Sequence, residues 1–458
     1  MVGNQSIEAF KTCLCGTLLR SGDEGYDAAR KIWNGMIDKR PALIARCTGA
    51  ADVIACVRFA REHDLPVSIR GGGHDLAGNS VSDGGLMIDL SPMKGIRVDP
   101  VRQQAQAEPG LRLGEFDRET QAFGLATTLG VNTDTGIAGL TLGGGYGWLG
   151  GKYGLACDNL ISVDIVTAEG RLLHASAEEN PDLFWGVRGA GANLGIVTSF
   201  EYRLHPVGPV LGGMVLYPLA AAREVLRLFD EFSQEAPDEL TTIGALLMGP
   251  DGKPAVAAAA CYCGPLDAGE KLMKPLKTFA QPVADLIAPQ PYVRMQTLFD
   301  AAFPPGRFYY SKAHNVRSLG DGAVDVLVAA AEALPTSYCA IALQQLHGAA
   351  GRVPVGETAF PHRYVHYDAA IESAAVDRAN CEKIIEWTRT TWRALEPFAE
   401  RAVYANVARD AGEEGQERVR EAFGQNFDRL LALKNQYDPT NFFRPNANIK
   451  PAAQARSA

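Results

Sequence analysis

The sequence predicts an α+β protein of two domains, and three observations carry that prediction. Its 458 residues exceed what one compact core usually holds. From Arg46 to His205, helix-, strand- and turn-type patterns alternate. At "FEYRLHPVGPVLGG", Pro206 and Pro209 break the alternation, and alanine-rich helical periods interleaved with apolar β-type runs follow.

In chain order, "TGAADVIACVRFAREHD" places Val53, Ile54 and Val57 at helical spacing, and Pro66 ends that helix before a strand at Val67–Ile69. "GGLMIDL" reads as a strand, and "RLGEFDRETQAFG" as a helix closed by Gly124. "ISVDIVTAEGRLLHAS" reads as a hairpin turning at Ala168–Gly170. Past the prolines, "LAAAREVLRLFDEFSQ" and "RANCEKIIEWTRTTWRALEPF" have helical periods, and "YCAIALQQL" is a β-type run. The tail "YDPTNFFRPNANIKP" is turn-rich but too dense in asparagine and aromatics for a disordered end.

Composition narrows the function classes. Hydrophobic residues at 47% and charged residues at 21% fit a soluble globular protein. A net charge of −9 argues against nucleic-acid or anionic-membrane partners, which need a basic patch. No apolar run is long enough to span a bilayer, and "AVAAAACYC" is too short. The start "MVGNQSIEAFKTCLCGTLLRSGDEG" lacks the pattern of a secretory signal, so a cytoplasmic location is expected. Nine cysteines, including the C-x-C pairs Cys13/Cys15 and Cys261/Cys263, show no zinc spacing. Free thiols and no metal site are expected.

Three glycine-rich stretches stand out: "RGGGH" at 70–74, "TGIAGLTLGGGYGWLGGKYG" from Thr135, and "NPDLFWGVRGAGANLGIVTSF". Glycine allows φ > 0 and close approach to the main chain, and successive N–H groups in such turns cradle an anion such as a pyrophosphate. Gly145-Tyr-Gly147-Trp-Leu-Gly150 satisfies G-x-G-x-x-G, but no long helix follows it, as a Rossmann unit requires. Gly151-Lys152 is no P-loop, because Tyr153 stands where Ser or Thr must bind magnesium. Gly189, Gly191 and Gly195 precede a strand instead of following one, which suits a cofactor held by loops and strand ends.

These stretches, with "KYGLACDN", the terminal "YDPTNFFRPNANI" and the middle segments "MQTLFDAAFPPGRFYYSK" and "GRVPVGETAFPHR", resemble the berberine-bridge-enzyme-like FAD-linked oxidases of the vanillyl-alcohol-oxidase superfamily, in their bacterial form. The resemblance runs from about Pro41 to Lys450. It implies a PCMH-type FAD-binding domain at 1–205, a substrate domain at 206–431 built on an antiparallel sheet flanked by helices, and a segment 432–458 returning to the first domain.

In the family the histidine after the glycines is bonded to the 8α-methyl of the flavin, and His74 matches it. A buried hydrogen-bonded histidine and a metal ligand are the rival readings. Asn132 stands where doubly attached members have cysteine, so a single covalent bond is expected, with Cys157 lying past that position. The resemblance implies flavin contacts from Arg70, Gly71, Gly72, Gly73, His74 and Asn79. The second loop would add Thr135, Gly136, Gly139 and Thr141, and the third Asn193, Gly195 and Val197. Asn446 and Asn448 would come from the tail, where side chains two apart on an extended segment share a face.

Flavin oxidation of an alcohol or amine needs a base near the departing proton. Tyr146 matches a tyrosine that several members place over the flavin. A phenol has a pKa of about 10, so it needs a nearby cation to act as a base, and Lys152 is the candidate. A packing aromatic is the other reading. "VYANVARD" matches the family's Y-x-N-Y segment through Tyr404 and Asn406, but Val407 replaces its second tyrosine. Glu372, Tyr310 and Tyr404 are fallbacks. His362 and Arg363 would line the pocket or hold the sheet, and the small Thr135 is compatible with oxygen access. The implied function is an oxidase, typical of secondary metabolism, that passes hydride from an alcohol, sugar-like or natural-product substrate to covalent FAD and then electrons to O2, giving H2O2. The alternatives are a flavin dehydrogenase with another acceptor and an idle flavin-binding protein.

Overall fold

The computed structural model describes residues 2–402, 404, 417, 419–444 and 447–452. Three main sheets organise them. The first, in spatial order, has strands Thr17–Leu19, Leu43–Arg46, Leu86–Asp89 and Val67–Arg70. The last three pair in parallel, which the crossover helix Ala50–Glu62 makes possible. That helix buries Val53, Cys56, Val57 and Ala60 with the strand residues Leu43, Ala45, Leu86 and Ile88. The second sheet is antiparallel, in the order Ile96–Asp99, Gln104–Ala107, Ile196–Arg203, Leu160–Val166 and Leu172–Ser176. The last two form the hairpin whose turn contains Gly170 at φ +70. After Gly150 comes only the four-residue helix Gly150–Tyr153, so the G-x-G-x-x-G match has no Rossmann helix behind it.

The third sheet has eight strands, every pair antiparallel. Its core runs through Val210–Pro218, Pro254–Tyr262, Leu240–Met248, Ala340–Leu346, His366–Ala375 and Phe308–Val316. The run "AVAAAACY" is thus an internal strand, and its alanines let both faces pack closely. One face is covered by helices Ala222–Gln234, Leu266–Thr278, Asp321–Glu332 and Cys381–Leu395. Helix Ala222–Gln234 sets Val225, Leu226 and Phe229 against the sheet, each worth about 1.5–3 kcal/mol of burial. Strand alternation splits the sheet cleanly. Ile341, Leu343, Tyr367, Ala369 and Ile371 enter that core, while residues 340, 342, 368, 370 and 372 face the other way.

The C-terminal segment packs on the helix that leads into the third glycine loop. Phe423, Phe427, Leu430 and Leu433 join Leu183, Phe184 and Trp185 in one apolar cluster. No helix among the described residues is long and apolar enough to cross a membrane.

Candidate active site

The free face of the eight-stranded sheet and the three glycine loops enclose a cavity of about 510 Å3. The first loop leaves strand Val67–Arg70 and crosses the second main chain to main chain. A Cβ on Gly72 would stand 2.4 Å from the Cα of Gly136, so both positions must be glycine. Gly73 sits at φ +72, its carbonyl accepts the Trp33 N–H at 2.9 Å, and the next residue is turned onto that tryptophan. The His74 ring stacks on Trp33 with centroids 4.1 Å apart, and Trp33 stacks on Tyr309 at 3.7 Å. Asp75 closes the loop by accepting the N–H groups of Ala77 (3.1 Å) and Ser80 (2.6 Å).

His74 Nε2 lies 3.7 Å from Asp134 Oδ1, and burial pushes the Asp134 carboxyl above its ordinary pKa. Thr133, beside it, is fixed by Asp300, which accepts its N–H at 2.9 Å and its hydroxyl at 2.5 Å. At the far end the third loop meets the tail. The Asn193 side chain donates to the carbonyls of Ala190 (2.7 Å) and Ala447 (3.1 Å) and accepts the Ile449 N–H at 3.0 Å.

The residues expected from sequence divide into two groups. Gly71, Gly72, Gly73, His74, Asn79, Thr135, Gly136, Gly139, Gly195 and Val197 line the cavity, as do Tyr146 and Tyr404. Asn132 lines it too. Arg70 points away: its guanidinium donates to the Ala29 carbonyl and lies 3.9 Å from Asp89. Thr141 bonds the Tyr202 hydroxyl at 2.8 Å, within the core. Asn193 acts as the tail clamp just described. Asn448 is half-buried and not on the cavity wall, which its neighbour Ala447 reaches. Asn406 and Asn446 lie outside the described residues. His362 and Arg363 hold structure: His362 Nε2 is 3.1 Å from the Ala422 carbonyl, and Arg363 grips Asp158 at 2.7 and 2.8 Å.

The electrostatics at Tyr146 differ from the sequence expectation. Lys152 lies 3.7 Å from Glu239 and over the Tyr153 ring, and it does not act on Tyr146. Burial, reinforced by Asp368, pushes the Tyr146 hydroxyl well above its ordinary pKa. Its ring lies parallel to that of Tyr404, 4.4 Å away, whose hydroxyl accepts the Gly145 N–H at 3.0 Å. Its hydroxyl is 3.3 Å from His366 Nε2. His366 Nδ1 must donate to the Tyr364 carbonyl at 2.7 Å, and burial lowers the imidazole pKa to about 4, so the ring is neutral. Nε2 is therefore an acceptor, and Tyr146 donates to it. Tyr146 is a hydrogen-bonding aromatic here.

Asp368, which the sequence reading passed over, has the properties of a base. It lines the cavity, is 6% exposed, and its Oδ1 has no hydrogen-bond partner among the described residues. Burial, with Glu372 adding to it, pushes its pKa up to about 7. The available signal was local: Asp368 and Glu372 are the two carboxylates, of one parity, in the largely apolar strand "HYDAAIESAA".

The glycine end fits FAD. Eight cavity-lining glycines in three loops expose main chain without side chains, and the buried Ser80 Oγ and Asn132 Oδ1 beside them have no hydrogen-bond partner among the described residues. A dinucleotide needs both features, close main-chain approach and waiting polar atoms. No group of three or more His, Cys, Asp or Glu among the described residues could hold a metal ion.

Comparison with known proteins agrees with this fit. Residues 41–176 match the family described as FAD binding domain, and residues 403–450 the one described as berberine and berberine like. An FAD-linked oxidoreductase of Dictyostelium discoideum is 34% identical over 453 residues, covering 98% of this chain and 97% of that protein. The (R)-6-hydroxynicotine oxidase of Paenarthrobacter nicotinovorans is 31% identical, covering 95% and 97%. The crystal structure of 6-hydroxy-D-nicotine oxidase from Arthrobacter nicotinovorans superposes with a TM-score of 0.87 at 29% identity, covering 96% of this chain and 98% of that one.

Proposed function

The chain belongs to the berberine-like FAD-linked oxidoreductases, and from that membership we propose that it is an oxidase of small molecules, with FAD held covalently through His74 alone and O2 as electron acceptor. When bound, the flavin supplies hydride acceptance from a substrate carbon and electron return to oxygen. The observation that carries this reading is the convergence of three glycine loops on one cavity whose opposite wall bears the buried carboxyl of Asp368.

The chain's own residues then have distinct tasks. Trp33 and Tyr309 fix the plane of the His74 ring. A carboxylate beside one imidazole nitrogen holds the proton there and leaves the other basic. Asp134, 3.7 Å from Nε2, biases the proton toward that nitrogen, preparing the ring to bond the flavin. Asp368 is the proton acceptor for the substrate, because its pKa of about 7 suits a general base at neutral pH. Tyr146 and Tyr404 form the aromatic wall beside it. Thr135 keeps the second loop small where it meets the cavity, consistent with oxygen access.

The test is purification and absorbance. A yellow protein whose colour survives acid precipitation, and loses that resistance in His74→Ala, is the expected result. Photoreduced enzyme should reoxidise in air within seconds. Colour released by acid from the parent overturns the covalent link, and persistent reduced flavin in air overturns the oxidase.

A further inference from the structure

The cavity face of the eight-stranded sheet is built in rows of unequal chemistry. Strand register sets Met214, Ala259, Ile243, Gln344 and Asp368 side by side across five strands. Two residues along, the next row is Ala257, Ala245, Ala342 and Ala370. Beyond it, Ala340 pairs with Glu372. All of these residues line the cavity.

The middle row, with neighbouring strands about 4.8 Å apart, makes an apolar trough on the order of 14 Å long with only methyl groups for a floor. Leu298, Phe299 and Phe303 also line the cavity and extend its apolar surface. Among the sheet residues that line the cavity, the polar side chains are Gln344, Asp368 and Glu372, on strands Ala340–Leu346 and His366–Ala375.

A polyhydroxylated substrate needs a partner for each buried hydroxyl, and the alanine row supplies none. A flat apolar body needs only the trough. Among the described residues of this sheet that line the cavity, the buried side-chain atom without a hydrogen-bond partner is a carboxyl oxygen, Asp368 Oδ1, a group that pairs with a cation.

Resting on the oxidase reading above, we propose that the substrate is an amine: a flat apolar body seated on Ala257, Ala245, Ala342 and Ala370, with its basic nitrogen against Asp368. The ammonium gives its proton to the Asp368 carboxylate. The freed lone pair becomes the second carbon–nitrogen bond as hydride leaves the adjacent carbon for the flavin, and the product is the iminium ion.

The test uses holoenzyme without oxygen, reading the absorbance of oxidised flavin as naphthylmethyl-N-methylamine, naphthylmethanol or cellobiose is added. The amine alone should bleach the flavin. Asp368→Asn should raise the amine concentration at which the bleaching rate is half-maximal by about tenfold or more, the loss of one charge-assisted contact. Ala342→Phe should fill the trough and abolish the amine response while the flavin remains bound, which shows that the variant is folded. Bleaching by the alcohol or the sugar without the amine overturns the proposal, as does no response to the amine or an unchanged amine concentration for half-maximal bleaching rate in Asp368→Asn. Because bleaching is read without oxygen, failure of reduced enzyme to reoxidise in air sinks only the oxidase reading.

Discussion

Asp134 and His74, 3.7 Å apart, make a prediction that concerns two side chains only. Asp134→Asn keeps the size of the side chain and removes the carboxylate charge beside Nε2. FAD should still bind, but the covalently attached fraction should fall by roughly tenfold, the scale of losing a partner behind a reactive histidine. Flavin fluorescence on a denaturing gel, compared with total flavin content, measures it, and an unchanged covalent fraction would show that Asp134 is a bystander. The two partners were not equally legible. "RGGGH" marks His74 because a histidine delivered by consecutive glycines has few bland explanations. Nothing in "VNTDTG" marks Asp134, since its meaning depends on a loop crossing between residues sixty positions apart. Tyr146 was found by motif but its proton affinity was not, because that depends on burial and on Asp368, which sequence does not place beside it.

At the scale of elements, the third glycine loop and the tail are joined by a buried ion pair. Lys434, near the end of helix Phe427–Tyr437, has its Nζ 2.6 Å from Asp438 and donates to the carbonyls of Asn193 and Phe443, each at 3.0 Å. Asp438 in turn accepts the N–H groups of Phe442 (2.6 Å) and Phe443 (2.9 Å). The aspartate of "YDPTNFF" is therefore the knot that aims the tail at the cavity. Lys434→Met strands a buried carboxylate and should cost about 3–5 kcal/mol. Adding Asp438→Asn should recover part of that loss. Thermal unfolding of the two variants, with flavin content read alongside, tests it; equal midpoints for parent and Lys434→Met would mean that the pair holds nothing. Periodicity located several elements, including helices Ala50–Glu62, Ala222–Gln234 and Cys381–Leu395. It could not give the parallel pairing of the first sheet or the face that each strand turns to the cavity, because both are set by contacts between distant segments.

At the scale of the whole molecule, the glycine-loop half and the eight-stranded sheet are joined through buried polar contacts. The Asn34 side chain donates to the carbonyls of Leu76 (2.8 Å) and Tyr309 (2.9 Å), linking the first glycine loop to strand Phe308–Val316. Gln296 donates to Asp117 at 2.8 Å, linking the segment after helix Tyr292–Met295 to helix Leu113–Gln121. Burial raises the Asp117 carboxyl from 3.8 to about 7, against the lowering effect of Gln296. The same cause raises Asp368 to about 7. Both shifts have one sign for stability: the folded state binds these protons more tightly than the unfolded chain does. Their contribution is present in full below about pH 4 and is lost as pH climbs through about 7, at a cost on the order of a few kcal/mol. The protein should therefore be measurably less resistant to urea at about pH 8 than at about pH 5. Asp117→Asn keeps an acceptor for Gln296 and cannot ionise, so it should reduce that difference, leaving Asp368's share, and be more stable than the parent at the higher pH. Urea midpoints for both proteins at the two pH values decide the matter. A parent that gains stability with rising pH, or a variant that keeps the full difference, would place the controlling charge elsewhere than at this joint.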